Sequence, residues 1–104
     1  MKIGIDIIEV KRLKKILGGP NEGRFFTERE LEYINGKGAG RFESAAGIFA
    51  AKEAYFKALG TGIAHGRIQD VEVTHDELGA PKIKGASLSI AHTLTTAVAV
   101  CILT

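Results

Sequence analysis

Residues 49–62, Phe49-Ala50-Ala51-Lys52-Glu53-Ala54-Tyr55-Phe56-Lys57-Ala58-Leu59-Gly60-Thr61-Gly62, read as the closing turns of a helix running into a glycine-bounded loop. Ala, Lys, Glu and Leu are strong helix formers, and Gly60 is the residue type that ends a helix in the left-handed conformation. Glu53 and Lys57 stand four apart and share one face. A carboxylate and an ammonium there, beside a loop with free N–H groups, suit a metal-bound phosphate ester. Upstream, Phe42, Ala45, Ala46, Phe49, Ala50 and Phe56 form an apolar stripe. It predicts a main helix from roughly Phe42 to Leu59, about 27 Å long at 1.5 Å per residue. Its alanines let a sheet approach closely.

The rest of the chain arranges itself around that helix. Lys2 to Ile8 alternates as a strand does, with Ile3, Ile5 and Ile7 on one side and Gly4, Asp6 and Ile8 on the other. Glu9 to Leu17 follows at helical spacing and ends at Gly18-Gly19-Pro20-Asn21. Thr27-Glu28-Arg29-Glu30 is a capping-box signature for a short helix reaching Asn35. Ile68 to Thr74 has period two and predicts a half-buried strand; Lys82 to Lys84 would pair back across the Glu77–Pro81 turn. Leu88–Ala91 and Thr95–Leu103 are the remaining strands, broken at His92-Thr93-Leu94. The last is apolar on both faces, so something covers both. This order predicts an α+β fold: an antiparallel sheet packed against one long helix and two shorter helices.

At 104 residues the chain is one domain, residues 1–104, able to bury a core but marginal as a lone monomer. Hydrophobic residues at 45% and charged residues at 25% exclude disorder. A net charge of +2 does not by itself imply nucleic acid, and none is expected as a partner. Cys101, alone in an apolar run, reads as a buried structural thiol. No signal peptide or spanning segment is visible, so a soluble, cytoplasmic protein is expected.

Asp6 in an isoleucine run must be paired, metal-bound or at an exposed edge, since burying it alone is costly. If the long helix packs on the first strand, Asp6 and Glu53 meet as two hard oxygen ligands, and Mg²⁺ is typically held by one or two carboxylates plus substrate phosphate. Taken singly, Glu53 is an ordinary solvated helix residue, Lys57 an ordinary i,i+4 partner, and Gly60-Thr61-Gly62 a simple helix stop. His92, at a strand break, suits a phosphate or adenine contact as well as a plain loop. His65 and His75 have no metal-like spacing. The helix Glu9–Leu17 carries Lys11, Arg12, Lys14 and Lys15 and suits an acidic protein partner. It is short and lacks aromatic residues, which argues against membrane binding.

Together these segments resemble the bacterial holo-[acyl-carrier-protein] synthases of the 4′-phosphopantetheinyl transferase family. The resemblance rests on Gly4-Ile5-Asp6-Ile7-Ile8-Glu9 with Arg12, and on Phe49–Ala54 with Lys57–Gly62. Asp70–Val73 with Gly79-Ala80-Pro81, and Ser89–Thr93, complete it. It implies transfer of the phosphopantetheine arm of coenzyme A to a serine of apo acyl carrier protein, releasing adenosine 3′,5′-bisphosphate. By matching positions, Asp6 and Glu53 would ligate Mg²⁺, Lys57 would contact the phosphates, and Lys52, Gly60, Thr61, Gly62, Pro81, His92 and Thr93 would line the coenzyme A site. Glu53, Asp6 or a metal-bound water could take the serine proton. Lys11, Arg12, Lys14 and Lys15 would dock the carrier protein, and the family's trimeric assembly, with sites at subunit interfaces, would cover the last strand.

Three departures stand out. Ten residues separate Pro81 from His92, too few for the helix the family usually carries there, which suggests a hairpin turning at Gly85-Ala86. Ala91 stands where Ser is frequent, and Ile48 where many relatives have Arg, which removes a coenzyme A phosphate contact. The competing reading is a shortened, non-catalytic module that docks a carrier protein or a nucleotide.

Overall fold

Isoleucine at every second position makes β1 (Lys2–Glu9) a strand, with Ile3, Ile5 and Ile7 exposed and Gly4, Asp6 and Ile8 turned inward. The computed structural model describes residues 1–60 and 67–104. After β1 come α1 (Val10–Ile16), α2 (Glu22–Phe25), α3 (Glu28–Asn35) and α4 (Arg41–Leu59). Four strands then follow: β2 (Thr74–His75), β3 (Pro81–Lys82), β4 (Ala86–His92) and β5 (Thr96–Leu103). β5 lies between β1 and β4, antiparallel to both, and β2 pairs with β3 in a separate small ribbon. The α+β class, with an antiparallel sheet against one long helix and shorter ones, is as expected; α2 is an additional single turn.

The sheet lies on α4 because both surfaces are small at the contact. A Cβ on Gly4 would collide with the Ala54 carbonyl oxygen and lie 2.7 Å from the Ala58 nitrogen, so β1 rests directly on helix backbone. From β5, Ala97, Ala99 and Cys101 are fully buried toward α4. Burial pushes the Cys101 thiol above its ordinary range, as suits a structural cysteine. The other face of β5 carries Thr96, Val98, Val100 and Ile102, half-exposed beside the isoleucines of β1.

The single apolar stripe expected on α4 is replaced by burial all round: every residue from Ala45 to Lys52 is enclosed. The sheet covers one side while α1 and α3 cover others, so α4 is the central element. Its enclosed lysine meets α3. The capping box forms as the spacing requires, with Glu30 N donating to Thr27 Oγ1 at 3.2 Å and Thr27 N donating to Glu30 Oε1 at 2.9 Å. Lys52 Nζ donates to Glu30 Oε1 at 2.6 Å and to the Phe25 carbonyl at 2.8 Å, with both side chains 0% exposed. Burial pulls the Lys52 ammonium below the usual lysine range, and Glu30 opposes that pull.

Residues 68–74 differ from the strand that their alternation predicts. Ile68–Asp70 closes as a 3₁₀ turn, and pairing begins only at Thr74. The reason is local: Asp70 N donates to Arg67 O at 2.9 Å, and Val73 N donates to Glu30 Oε2 at 2.7 Å instead of to a neighbouring strand. The β2–β3 turn is held by Asp76, whose Oδ1 accepts from Leu78 N and Ala80 N at 2.9 Å each. A turn closed by Ala86 N to Ile83 O at 3.1 Å then leads straight into β4, with no intervening helix. It is not a paired hairpin, because β3 and β4 belong to different sheets. Among the described residues, no helix is long and apolar enough to cross a membrane.

Lys52→Met keeps the side-chain volume but strands the Glu30 carboxylate in the core. A loss of about 3–5 kcal/mol of unfolding free energy is expected by denaturant titration. A loss under about 1 kcal/mol would show that Thr27 and Val73 satisfy Glu30 without the lysine.

Candidate active site

Asp6 faces α4 from the middle of β1, with its side chain 14% exposed. Lys57, in the last turn of α4, donates from Nζ to Asp6 Oδ1 and to the Ile5 carbonyl, each at 3.0 Å. Glu53 lies one turn earlier on α4. Burial chiefly, and then the charge of Asp6, hold the Glu53 carboxyl above its usual range, while Arg12 and Lys57 pull it down. Asp6, Glu53, Lys57 and Arg12 therefore form one electrostatic group built from β1, α1 and the end of α4. Arg12 joins it from above the Phe49 ring, 5.1 Å from the centroid.

This donor set fits a magnesium ion. Two carboxylates sit in a partly buried position where their mutual repulsion favours an added cation, and both offer the hard oxygens Mg²⁺ takes. Among the described residues no cluster of three His, Cys, Asp or Glu forms, so the remaining ligands would be water and substrate oxygens.

A second locus lies apart from this one. Pro81 and His92 line a pocket of ≈ 180 Å³ together with Tyr33, Ser44, Ile48 and His75, and neither Asp6, Glu53 nor Lys57 borders it. His75 stacks on Tyr33 with centroids 3.6 Å apart and planes within 7°. Burial, and then the neighbouring Lys37, lower the His75 pKa, against the pull of Asp76. His92 is exposed, its Nδ1 3.3 Å from the Thr93 carbonyl.

The other expected residues divide as follows. Lys52 is corrected from a ligand contact to a core residue, since its ammonium is enclosed with Glu30 and Phe25. Gly60 caps α4 at φ +82°, and its N–H is spent on Lys57 O at 3.0 Å, so it is not a free anion donor. Thr61 and Gly62 fall outside the described residues. Thr93 does not border the pocket, and its hydroxyl accepts from Thr95 N and Thr96 N inside the β4–β5 loop. Lys11, Lys14 and Lys15 stand exposed on α1. Sequence reading passed over Tyr33, Glu43 and Ser44 and weighed His75 only as a metal ligand; all four border the pocket.

A family model described as the 4′-phosphopantetheinyl transferase superfamily matches residues 2–101. The chain is 44% identical over 117 aligned positions to a holo-[acyl-carrier-protein] synthase of Treponema denticola, covering 97% of this chain and 95% of that protein. It is 38% identical to one of Thermoanaerobacter pseudethanolicus, covering 96% and 84%. Among solved structures, a holo-(acyl-carrier-protein) synthase of Bacillus anthracis in complex with CoA (3′,5′-ADP) superposes with a TM-score of 0.84 at 44% identity, covering 96% and 92%. A Helicobacter pylori holo-[acyl-carrier-protein] synthase in complex with coenzyme A gives 0.85 at 30% identity, covering 98% and 99%. The chain belongs to the 4′-phosphopantetheinyl transferase superfamily. It is a phosphopantetheinyl transferase enzyme, and within the superfamily its likeness is to the holo-[acyl-carrier-protein] synthases.

The Glu53 carboxyl titrates higher folded than unfolded. Its contribution to stability is therefore complete below the unfolded value of 4.5 and is lost as pH rises through the folded one. Near pH 7 in chelator, Glu53→Gln is expected to raise Tm. Millimolar Mg²⁺ is expected to raise Tm of the unsubstituted protein and not of the variant. Scanning calorimetry checks both, and equal Mg²⁺ stabilisation of the two proteins would remove Glu53 from the metal site.

Proposed function

We propose that this enzyme moves the 4′-phosphopantetheine group of coenzyme A onto a serine of an apo acyl carrier protein in a Mg²⁺-dependent reaction. The serine hydroxyl gives up its proton to Glu53, Asp6 or a water, its oxygen bonds to the phosphorus bearing the pantetheine arm, the pyrophosphate bridge breaks, and adenosine 3′,5′-bisphosphate leaves. The observation that carries the reading is the electrostatic convergence of Asp6, Glu53 and Lys57 from elements far apart in sequence. Asp6 and Glu53 would hold Mg²⁺, which when bound would supply positive charge to offset that of the pyrophosphate. Lys57, 52% exposed beyond its contact with Asp6, is free to turn toward the phosphates and offset the charge of the departing group. Phosphoryl-type transfer asks an enzyme mainly for such positioning and neutralisation.

Pro81 and His92 would receive the nucleotide. Because that pocket and the carboxylate group are not continuous within one chain, the complete site lies between two copies. The partly open outer face of the sheet supports this. Ile3, Ile5 and Ile7 are 67%, 58% and 69% exposed, beside half-exposed Val98, Val100 and Ile102. A homotrimer would cover that face. Lys11, Arg12, Lys14 and Lys15 would dock an acidic carrier surface, and a groove of ≈ 340 Å³ lined by Ile7, Glu9, Lys11, Arg12 and Lys15 gives the partner an apolar foothold among the charges.

The direct test is mass spectrometry of an apo carrier protein incubated with enzyme, coenzyme A and Mg²⁺, in which a phosphopantetheine mass should appear. Asp6→Ala and Glu53→Ala should each lower the rate by about 10²-fold or more while far-UV dichroism is unchanged. Near-normal transfer by either variant would overturn the metal assignment. Carrier binding with no mass gain under saturating coenzyme A would overturn the reaction itself.

Assembly is tested separately. Val100→Glu, in the centre of the outer sheet face, should shift sedimentation from trimer toward monomer and abolish transfer although Asp6, Glu53 and Lys57 are untouched. A monomeric sedimentation coefficient for the unsubstituted protein would overturn the shared site.

A further inference from the structure

We infer that Lys57 is a counter-cation seated on the carboxylate of Asp6, so that a divalent ion binds weakly to the free protein and tightly together with the donor's pyrophosphate. This rests on the transferase reading above and deepens it by naming how metal and donor binding are coupled. The Lys57 ammonium has a defined seat, since Nζ donates to Asp6 Oδ1 and to the Ile5 carbonyl at 3.0 Å each. Both acceptors come from adjacent residues of β1, the edge strand of the sheet. The Asp6 side chain is 14% exposed, so water screens its pairing with Lys57 less than it screens a pair on the open surface.

An ammonium and a divalent ion do not share one carboxylate without cost. Each is drawn to Asp6, and at such short range they repel each other, the more so where water is partly excluded. Glu53 stands one turn before Lys57 on α4, so the same lysine charge lies on the face that carries the second carboxylate. Divalent binding to the free protein must therefore displace Lys57 or work against it. The pyrophosphate removes that opposition. Half of the Lys57 side chain is exposed, its four-carbon stem is flexible, and phosphate oxygens are strong acceptors for an ammonium. Once Lys57 turns to the donor, Asp6 and Glu53 are left to the metal. Because coupling between two ligands is reciprocal, the metal then tightens donor binding by the same factor.

The probe is Mn²⁺, which suits the same oxygen ligands and whose free-ion electron paramagnetic resonance signal reports binding without turnover. Lys57→Met keeps the stem and removes the charge. Its Mn²⁺ affinity without donor is expected to be about tenfold tighter than that of the unsubstituted protein. Lys57→Arg keeps the charge and should stay within about threefold of it. Saturating coenzyme A should tighten Mn²⁺ binding in both proteins, by about tenfold less in Lys57→Met. Adding Asp6→Asn to Lys57→Met should cancel the gain, because the competition is for that carboxylate. Equal Mn²⁺ affinities of Lys57→Met and the unsubstituted protein overturn the inference and leave the transferase reading intact, as does a gain that survives Asp6→Asn. Absence of Mn²⁺ binding in every protein, with and without coenzyme A, overturns the metal assignment and the inference together. Far-UV dichroism checks the fold, and Lys57→Gln carries the same comparison should Lys57→Met misfold.

Discussion

The enclosed ammonium of Lys52 is the constraint on which the site geometry depends. Much of α4 where it meets the sheet is alanine and glycine, a smooth surface with few large side chains to fix rotation about its axis. Lys52 supplies that missing definition by reaching the Phe25 carbonyl and Glu30 in a region closed to water. Successive helix residues are about 100° apart, so fixing the direction of Lys52 fixes that of Glu53. Glu53 is thereby held toward β1 and the charge of Asp6. The Glu30 carboxylate also takes the N–H groups of Thr27 and Val73. One buried anion thus ties the start of α3, the middle of α4 and the segment entering β2. Both proposed half-sites hang from it: Glu53 follows Lys52 directly, while Tyr33 on α3 and His75 on β2 border the pocket.

What was legible in the chain was local. The capping box at Thr27 and Glu30, the alternation of β1 and the glycine stop at Gly60 each involve partners within a few residues, and all three form as read. The parts that were not legible involve partners distant in sequence. Lys52 and Glu53 are consecutive and both charged, and no periodicity says which faces the core. Glu30 reads fully as a capping residue, so nothing in its spacing announces a second partner 22 residues away. Residues 68–74 alternate as a strand does, yet the Val73 N–H is taken by a side chain and no ladder forms there. Tyr33 and His75 pair across a longer gap still, joined only when α3 and the β2–β3 ribbon pack together. The proximity of Asp6 to Glu53 was readable only conditionally, from the requirement that the long helix lie on the first strand. Gly4 makes that contact possible.

β1 carries two jobs on opposite faces of consecutive residues. Asp6 points into the molecule, and its neighbours Ile5 and Ile7 point out, each more than half exposed. Fully burying an isoleucine is worth roughly 1.5–3 kcal/mol, so three such residues on one strand give association of this face a substantial drive. A chain of 104 residues has little core to spare, and covering that face would add stability where the fold is thinnest. The same contact would hold β1 in place, and with it the carboxylate that Lys57 grips from α4.

The pocket is built without the short link between β3 and β4. The Treponema alignment runs over 117 positions against a chain of 104 residues, so that relative carries residues this protein lacks. The pocket walls come from α3, the first half of α4, the β2–β3 ribbon and the end of β4, and residues 82–89 contribute none. Ile83 and Lys84 of the link border a different groove, of ≈ 430 Å³, which runs past Tyr55, Val71 and Thr74. Pro81 and His92 keep their places because each is fixed by strand pairing, Pro81 against His75 and His92 against Ala97, rather than by the connection between them. Local pairing on both sides of a short link is sufficient to hold a pocket wall that the link itself never borders.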